Sequence, residues 1–373
     1  MSNAPILDDF LELVSIDAAS RNERAVADAV KAKMAAFGIE LAEDDAGEKI
    51  GGNTGNLLGV LDGGLPVTVL LNAHMDRVAN GLGIKPVIKD GLITSDGTTI
   101  LAADDLSGVA ALIDSARRLS ACGKKFPRVE YLFTVGEEAG LLGASAFDAS
   151  KLSAKIGYAF DSPGRIGRVV CAAPGEIDMK IEVKGKAAHA GNCPEQGVNA
   201  TVELAKVLAT IRDGRLDFES TANFAVLECG TKMTNIVQAY ASCKGEMRSR
   251  NAAKIAEYAE YVKKHVADAN AASKAEISIS VKQAFCNFSF GEDAPVVAAA
   301  LAAIRDMGLE ATANGGGGGM DANIFNGKGI SVVGVATGYS GNHGVSEQIY
   351  LDDLLRSGEL AARIVMKHGE AAL

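Results

Sequence analysis

No C-x-x-C pair occurs among the six cysteines (Cys122, Cys171, Cys193, Cys229, Cys243 and Cys286). Their scatter excludes a zinc ribbon and a disulfide framework, and suits free thiols in a reducing compartment. Basic residues are in deficit: 37 Lys and Arg face 47 Asp and Glu, for a formal charge of −10. No basic face for a nucleic acid or an anionic membrane is expected. Long apolar runs are missing too. Residues 294–304 form the longest one towards the C-terminus, too short to span a bilayer. The opening MSNAPILDDF is acidic and lacks the basic, apolar and small-residue order of a secretory signal, so a cytoplasmic location is expected. No internal repeat or low-complexity linker breaks the chain. Only five histidines occur, so the position of each carries information.

What is present is ordinary globular usage, 48% hydrophobic and 23% charged over 373 residues, enough for one large or two medium domains. Residues 5–38 read as two amphipathic helices broken near 17–21. The run VTVLLNA (67–73) has the continuous apolarity of a strand buried on both faces. Further apolar strands are expected at 129–135, 157–160 and 330–335, a helix at 106–120, and a small hairpin excursion at 85–100 around two Asp-Gly turns. Strands alternating with helices imply an α/β fold, a mainly parallel sheet with helices on both faces. The middle differs. An alternating strand at 176–184, a helix near 198–211, strands near 218–228 and 236–247, a helix at 252–271 and a strand at 275–281 give the order β-α-β-β-α-β. That is a ferredoxin-like α+β insert. The expected domains are 1–175 with 284–373, and 176–283.

The unusual polar residues fall just past strands or at a helix start. His74 and Asp76 follow VTVLLNA, Asp104 opens a helix, Glu137 and Glu138 follow LFTV, Asp161 ends IGYAF, and His343 follows ISVVGV. In an open parallel sheet those ends share one edge, where ligands bind. Taken singly, Asp104 reads as a helix cap and His74 as structural; converging, they read as a site. Such acidic density needs positive charge, and Arg77 is the one basic residue in these segments. Two divalent ions balance Asp104, Glu138, Asp161 and one hydroxide, with neutral His74 and His343 completing the shells. Nitrogen and carboxylate donors without sulfur suit zinc, or cobalt or manganese. Asp104 best supplies the bridge. On extended backbone Glu137 and Glu138 point opposite ways, so Glu138 turns to a metal and Glu137 to the water, as general base. Asp76 orients the His74 imidazole.

The motifs HMD, AADDLSG, GEEAG, AFDSPG, KAAHAG and HGVSE lie in the order and spacing of the M20 metallopeptidase family, and the chain most resembles its peptidase T-like branch. The resemblance covers nearly the whole length. It implies His74, Asp104, Glu138, Asp161 and His343 as ligands of two zinc ions, Glu137 as general base, and a lid that makes a homodimer. It implies that His189 stabilises the oxyanion, often from the partner subunit, and that Asn235 and Arg248 are polar lid residues near substrate. Where peptidase T relatives carry an arginine before Gly-Gly-Thr-Asp, this chain reads ANGGGGGMDAN (313–323). That run is either a turn ahead of a strand or bare backbone around Gly318 that donates hydrogen bonds to substrate. No Gly-Lys-Ser/Thr follows it, so it is no phosphate loop. The function expected is an aminopeptidase on di- and tripeptides. An N-acyl amino acid deacylase or carboxypeptidase shares the same site, and a catalytically inactive binding protein is the distant alternative.

Overall fold

In a computed structural model, residues 4–370 are described. They form two compact units: Ala173–Phe288, and the residues before and after it. This second unit reaches a few residues further on each side than 176–283.

The first unit is α/β. Its large sheet runs through Ala42–Glu43, Leu57–Leu61, Phe126–Thr134, Gly64–His74, Ile156–Ser162, Ser331–Ala336 and Arg168–Ala173 in that order, with Thr312–Gly315 beside the last. Gly64–His74 pairs in parallel with both Phe126–Thr134 and Ile156–Ser162, and Ser331–Ala336 continues the parallel set. Helices lie on both faces. The central strands read as apolar runs because both faces are covered: Val69, Leu70, Leu71 and Ala73 have no exposed surface. Each such aliphatic side chain adds roughly 1.5–3 kcal/mol of hydrophobic stabilisation, less for the alanine.

The helix Ala103–Ala121 is buried on nearly every side from Ala103 to Ala116. Gly108 lets it approach the sheet. A Cβ there would sit 2.2 Å from the carbonyl oxygen of Phe160, so any larger residue would push the helix off the strand that carries Asp161. Arg77, fully buried, donates to the carbonyls of Leu13, Val14, Ile16 and Gly81. It ties the end of helix Pro5–Ser15 to the loop after His74.

Local differences from expectation have local causes. Only Asp90-Gly91 turns a hairpin (Val87–Lys89 with Leu92–Thr94). Asp96 instead folds its carboxylate onto the N–H of Thr98, at 3.0 Å. The glycine run leaves the strand Thr312–Gly315 and leads into the helix Asp321–Gly327, not into a strand. The Asn323 side chain accepts the Met320 N–H at 3.0 Å and starts that helix.

The second unit is an antiparallel sheet in the order Gly214–Arg215, Ser220–Cys229, Tyr240–Ser249, Gly175–Lys184 and Glu276–Phe285. Its two-residue edge strand, too short to leave an alternating pattern, extends the four-strand ferredoxin-like order. The helices Ala200–Leu208 and Ala252–Ala272 pack over Tyr240–Ser249 and Gly175–Lys184, closing a core of Ile181, Val183, Leu204, Cys243 and Val262. No helix among the described residues is long and apolar enough to cross a membrane.

Candidate metal centre

His74 is the last residue of its strand, and Asp161 lies at the end of the neighbouring parallel strand. Asp104 stands in the first turn of the helix Ala103–Ala121, after Ala102 in left-handed backbone; the Asp104–Asp105 peptide is cis. His343 lies in the loop between Tyr339–Ser340 and Gln348–Tyr350. These far-separated residues converge. His74 Nε2 is 3.3 Å from Asp104 Oδ1 and 3.7 Å from Asp161 Oδ1. His343 Nε2 is 3.4 Å from Asp104 Oδ2 and 2.9 Å from Glu138 Oε1. Asp104 thus presents one oxygen to each imidazole. Three sets have all donor atoms within 4.8 Å of one another: His74, Asp104 and Asp161; His74, Glu137 and Glu138; Asp104, Glu138 and His343.

Glu137 and Glu138 do not sit on extended backbone. Gly136 is left-handed, and Gly140 and Leu141 both donate back to the Glu137 carbonyl, so the segment is a turn. Both carboxylates reach the cluster, from different sides. Glu137 Oε2 lies 4.0 Å from His74 Nε2, whereas Glu138 meets His343.

The electrostatics test whether cations fit. Among the described residues no lysine or arginine pairs with Asp104, Glu137, Glu138 or Asp161; their charged partners are imidazoles. Burial pushes the carboxyls of Glu137 and Asp161 well above the usual range, both against the pull of His74. Burial also opposes a charge on Asp104, but His343 and His74 outweigh it and hold its carboxyl low. Burial opposes a charged His74, yet Asp104, Asp161 and Asp76 raise it well above 6.5, and bonds to Asp104 and Glu138 carry His343 up to about 10. A buried acidic group that draws protons onto its histidines is one that divalent cations satisfy, and its nitrogen and oxygen donors match zinc, cobalt or manganese.

A ring of further side chains holds the cluster. Asp76 Oδ1 lies 3.3 Å from His74 Nδ1, while its carboxylate accepts the backbone N–H of Glu137 at 2.9 Å and of Glu138 at 3.1 Å, and the Ser20 hydroxyl at 2.6 Å. Asp105 accepts the His74 N–H at 3.1 Å. Tyr339 donates to Asp161 at 3.1 Å, and Asn342 to Asp104 at 2.8 Å. Glu23 accepts the Gly136 N–H at 3.0 Å. Asp321, buried at the end of the glycine run, accepts the Thr134 hydroxyl. Sequence reasoning notes Asp105 beside Asp104 but gives no role to it, nor to Glu23, Tyr339, Asn342 or Asp321. Asp105 and Asn342 adjoin residues already singled out; Glu23 and Tyr339 left no signal.

Other candidate residues stand as follows. His189 is exposed in the second unit, where its Nδ1 accepts the N–H groups of Gly191 and Asn192 at 3.1 and 3.2 Å. Asn235 is exposed, and its carbonyl accepts the Ala190 N–H at 3.0 Å. Arg248 is half-buried and already engaged, with Nε 2.8 Å from Glu176 and 2.9 Å from Glu246. Gly318, exposed in the first unit, has nothing within 4 Å of where a Cβ would stand.

Comparison with known proteins shows which families and structures the chain is similar to. Residues 172–274 match the peptidase dimerisation domain of M20 type, and residues 56–172 match peptidase family M28. The uncharacterized protein YqjE of Bacillus subtilis (strain 168) is 35% identical over 96% of this chain and 97% of its own. The crystal structure of aminopeptidase PepT from Bacillus cereus ATCC 10987 superposes with a TM-score of 0.89 at 36% identity, covering 98% of each chain. A tripeptidase structure from Staphylococcus aureus subsp. aureus Mu50 gives 0.90 at 31% identity, covering 97% of each.

Proposed function

The chain belongs to the M20 metallopeptidase family, in its peptidase T-like branch, and from that premise we propose that it is a dizinc aminopeptidase acting on di- and tripeptides. One observation carries this reading: the Asp104 carboxylate lies between His74 and His343, one oxygen to each. His74, Asp161 and Asp104 would hold one ion, and Glu138, His343 and Asp104 the other. Cobalt or manganese could stand in for zinc. When bound, the ions supply Lewis acidity to the scissile carbonyl and lower the pKa of water.

The remaining work falls to the chain's own groups. Glu137, buried beside His74, takes a proton from the attacking water and delivers it to the leaving amine nitrogen. Burial favours its protonated form, which suits a group that receives a proton and passes it on. Asp76 keeps the His74 ring oriented and fixes the turn that aims Glu137. His189 stabilises the oxyanion, Asn235 and Arg248 line the substrate path, and the bare backbone at Gly318 donates to substrate. The match of residues 172–274 to a peptidase dimerisation domain supports a homodimer, and the names of the two similar structures support action on short peptides; the six cysteines, scattered without a C-x-x-C pair, suit a cytoplasmic location.

A peptide library digested by zinc- or cobalt-loaded protein and read by mass spectrometry tests this. Unblocked di- and tripeptides should lose their N-terminal residue, and N-acetylated ones should survive. Preferential cleavage of N-blocked substrates overturns the aminopeptidase reading in favour of a deacylase or carboxypeptidase.

A further inference from the structure

Glu347 takes no part in the chemistry above, yet it is 1% exposed and bears a carboxylate. Its Oε2 accepts the backbone N–H groups of Leu101 and Ala102, both at 2.8 Å, and its Oε1 accepts that of Asp104 at 3.0 Å. Among the described residues no lysine or arginine forms an ion pair with it. Ala102 is left-handed (φ 58°, ψ 33°), and such a turn gathers successive N–H groups into a concave row that favours an anion. The other end of Glu347 is equally fixed. Its own N–H closes a turn onto the Gly344 carbonyl at 3.0 Å, in the loop that carries His343. In the same loop Asn342 donates to Asp104 Oδ2 at 2.8 Å. His343 stands in left-handed backbone (φ 64°), which strains an L-residue and needs support from its surroundings.

Two segments far apart in the chain are therefore joined by one carboxylate. A merely space-filling role would favour an apolar side chain, because an acidic group this deep is costly without charge-assisted partners. We infer that Glu347 is a positioning residue that sets the Asp104 turn against the His343 loop before any cation arrives, so that their shared half of the site is already formed. The inference rests on the reading of Asp104 and His343 as ligands.

The test combines a variant with a measurement on the unaltered protein. Glu347→Gln keeps the shape but turns an NH2 group towards an N–H donor, so at least one of the three bonds is lost. Cobalt titration against a competing chelator should show the ion at His343, Glu138 and Asp104 held about 10–100-fold more weakly, as for the loss of other outer partners of a ligand, and the ion that shares only Asp104 with it weakened less. Circular dichroism of the metal-free variant should match wild type. A folded variant that binds both ions as wild type does, or that loses both alike, overturns the inference. If the variant does not fold, hydrogen exchange on metal-free wild-type protein decides. The amides of Leu101, Ala102 and Asp104 should stay protected without metal. Free exchange that only metal suppresses overturns the role of Glu347. Wild-type protein that binds no metal refutes the ligand reading instead, while the exchange measurement still judges Glu347.

Discussion

Asp76 Oδ1 accepts the backbone N–H of Glu137 at 2.9 Å, so the residue beside the His74 ring also holds the backbone of the proposed base. Asp76→Asn keeps one acceptor oxygen for four groups that now share two. Activity should fall about 10–100-fold, mainly in kcat, with the protein still folded. Steady-state kinetics with a tripeptide and far-UV circular dichroism check this. A change confined to KM would count against it.

Glu137→Gln removes the proton acceptor while leaving five other donors in the cluster. Peptide hydrolysis should drop about 10²–10⁴-fold. Metal content by elemental analysis should stay at the wild-type level. Turnover at the wild-type rate would remove Glu137 from the mechanism, and loss of metal would make it a ligand.

Metal should also stabilise the fold, since among the described residues no lysine or arginine pairs with the buried carboxylates of the cluster. A cation bound at a hundred times its Kd adds about 2.7 kcal/mol. Melting temperature should fall on chelation and recover with zinc, along with activity. An unchanged melting curve would show that the cluster does not bind the ion in the folded state.

Burial pushes the Glu176 carboxyl from 4.5 up to about 7, against the pull of Arg248 and with Glu246 and Asp178 adding to the rise. Between those values the folded chain holds a proton that the unfolded chain releases. The stability tied to that proton is lost as pH rises through about 4.5 to 7. Glu176→Gln has nothing to titrate there. Its melting temperature relative to wild type should therefore improve between about pH 5 and pH 8, and an offset equal at both would refute the assignment.

The edge strand Ser220–Cys229 is exposed along its second half. Leu227 is 57% exposed, although its partner across the ladder, Cys243, is fully buried under helices. Beyond the short pairing at Thr221 and Ala222 this edge has no outer strand among the described residues. Such an edge invites a second copy. Leu227→Lys should shift a homodimer to monomer in sedimentation velocity without lowering the melting temperature of the monomer. A dimer of unchanged affinity would place the interface elsewhere.

Much of this was legible before any coordinates. The strand at 67–73 announces itself because five of its seven residues are apolar, the pattern of a strand covered on both faces. The insert announces itself because half-exposed strands alternate. The site residues stand out because strand ends in an open sheet are where polar groups gather. The supporting ring was not legible. Glu23, Tyr339 and Glu347 act through backbone amides or single carboxylate oxygens of distant segments, and a contact of that kind leaves no period or spacing. The extended backbone expected at Glu137 gives way to a turn because one left-handed glycine, Gly136, reverses a geometry that the flanking strand suggests.

The sequence by itself determined the elements, their order and the residue types that can meet a cation, because hydrophobic period and side-chain chemistry are local properties. Only the tertiary structure decided which of those residues meet. The parallel register that sets Asp161 beside His74, the close approach at Gly108, and the carboxylates that seize amides from other segments all depend on distances between parts of the chain that no local pattern encodes.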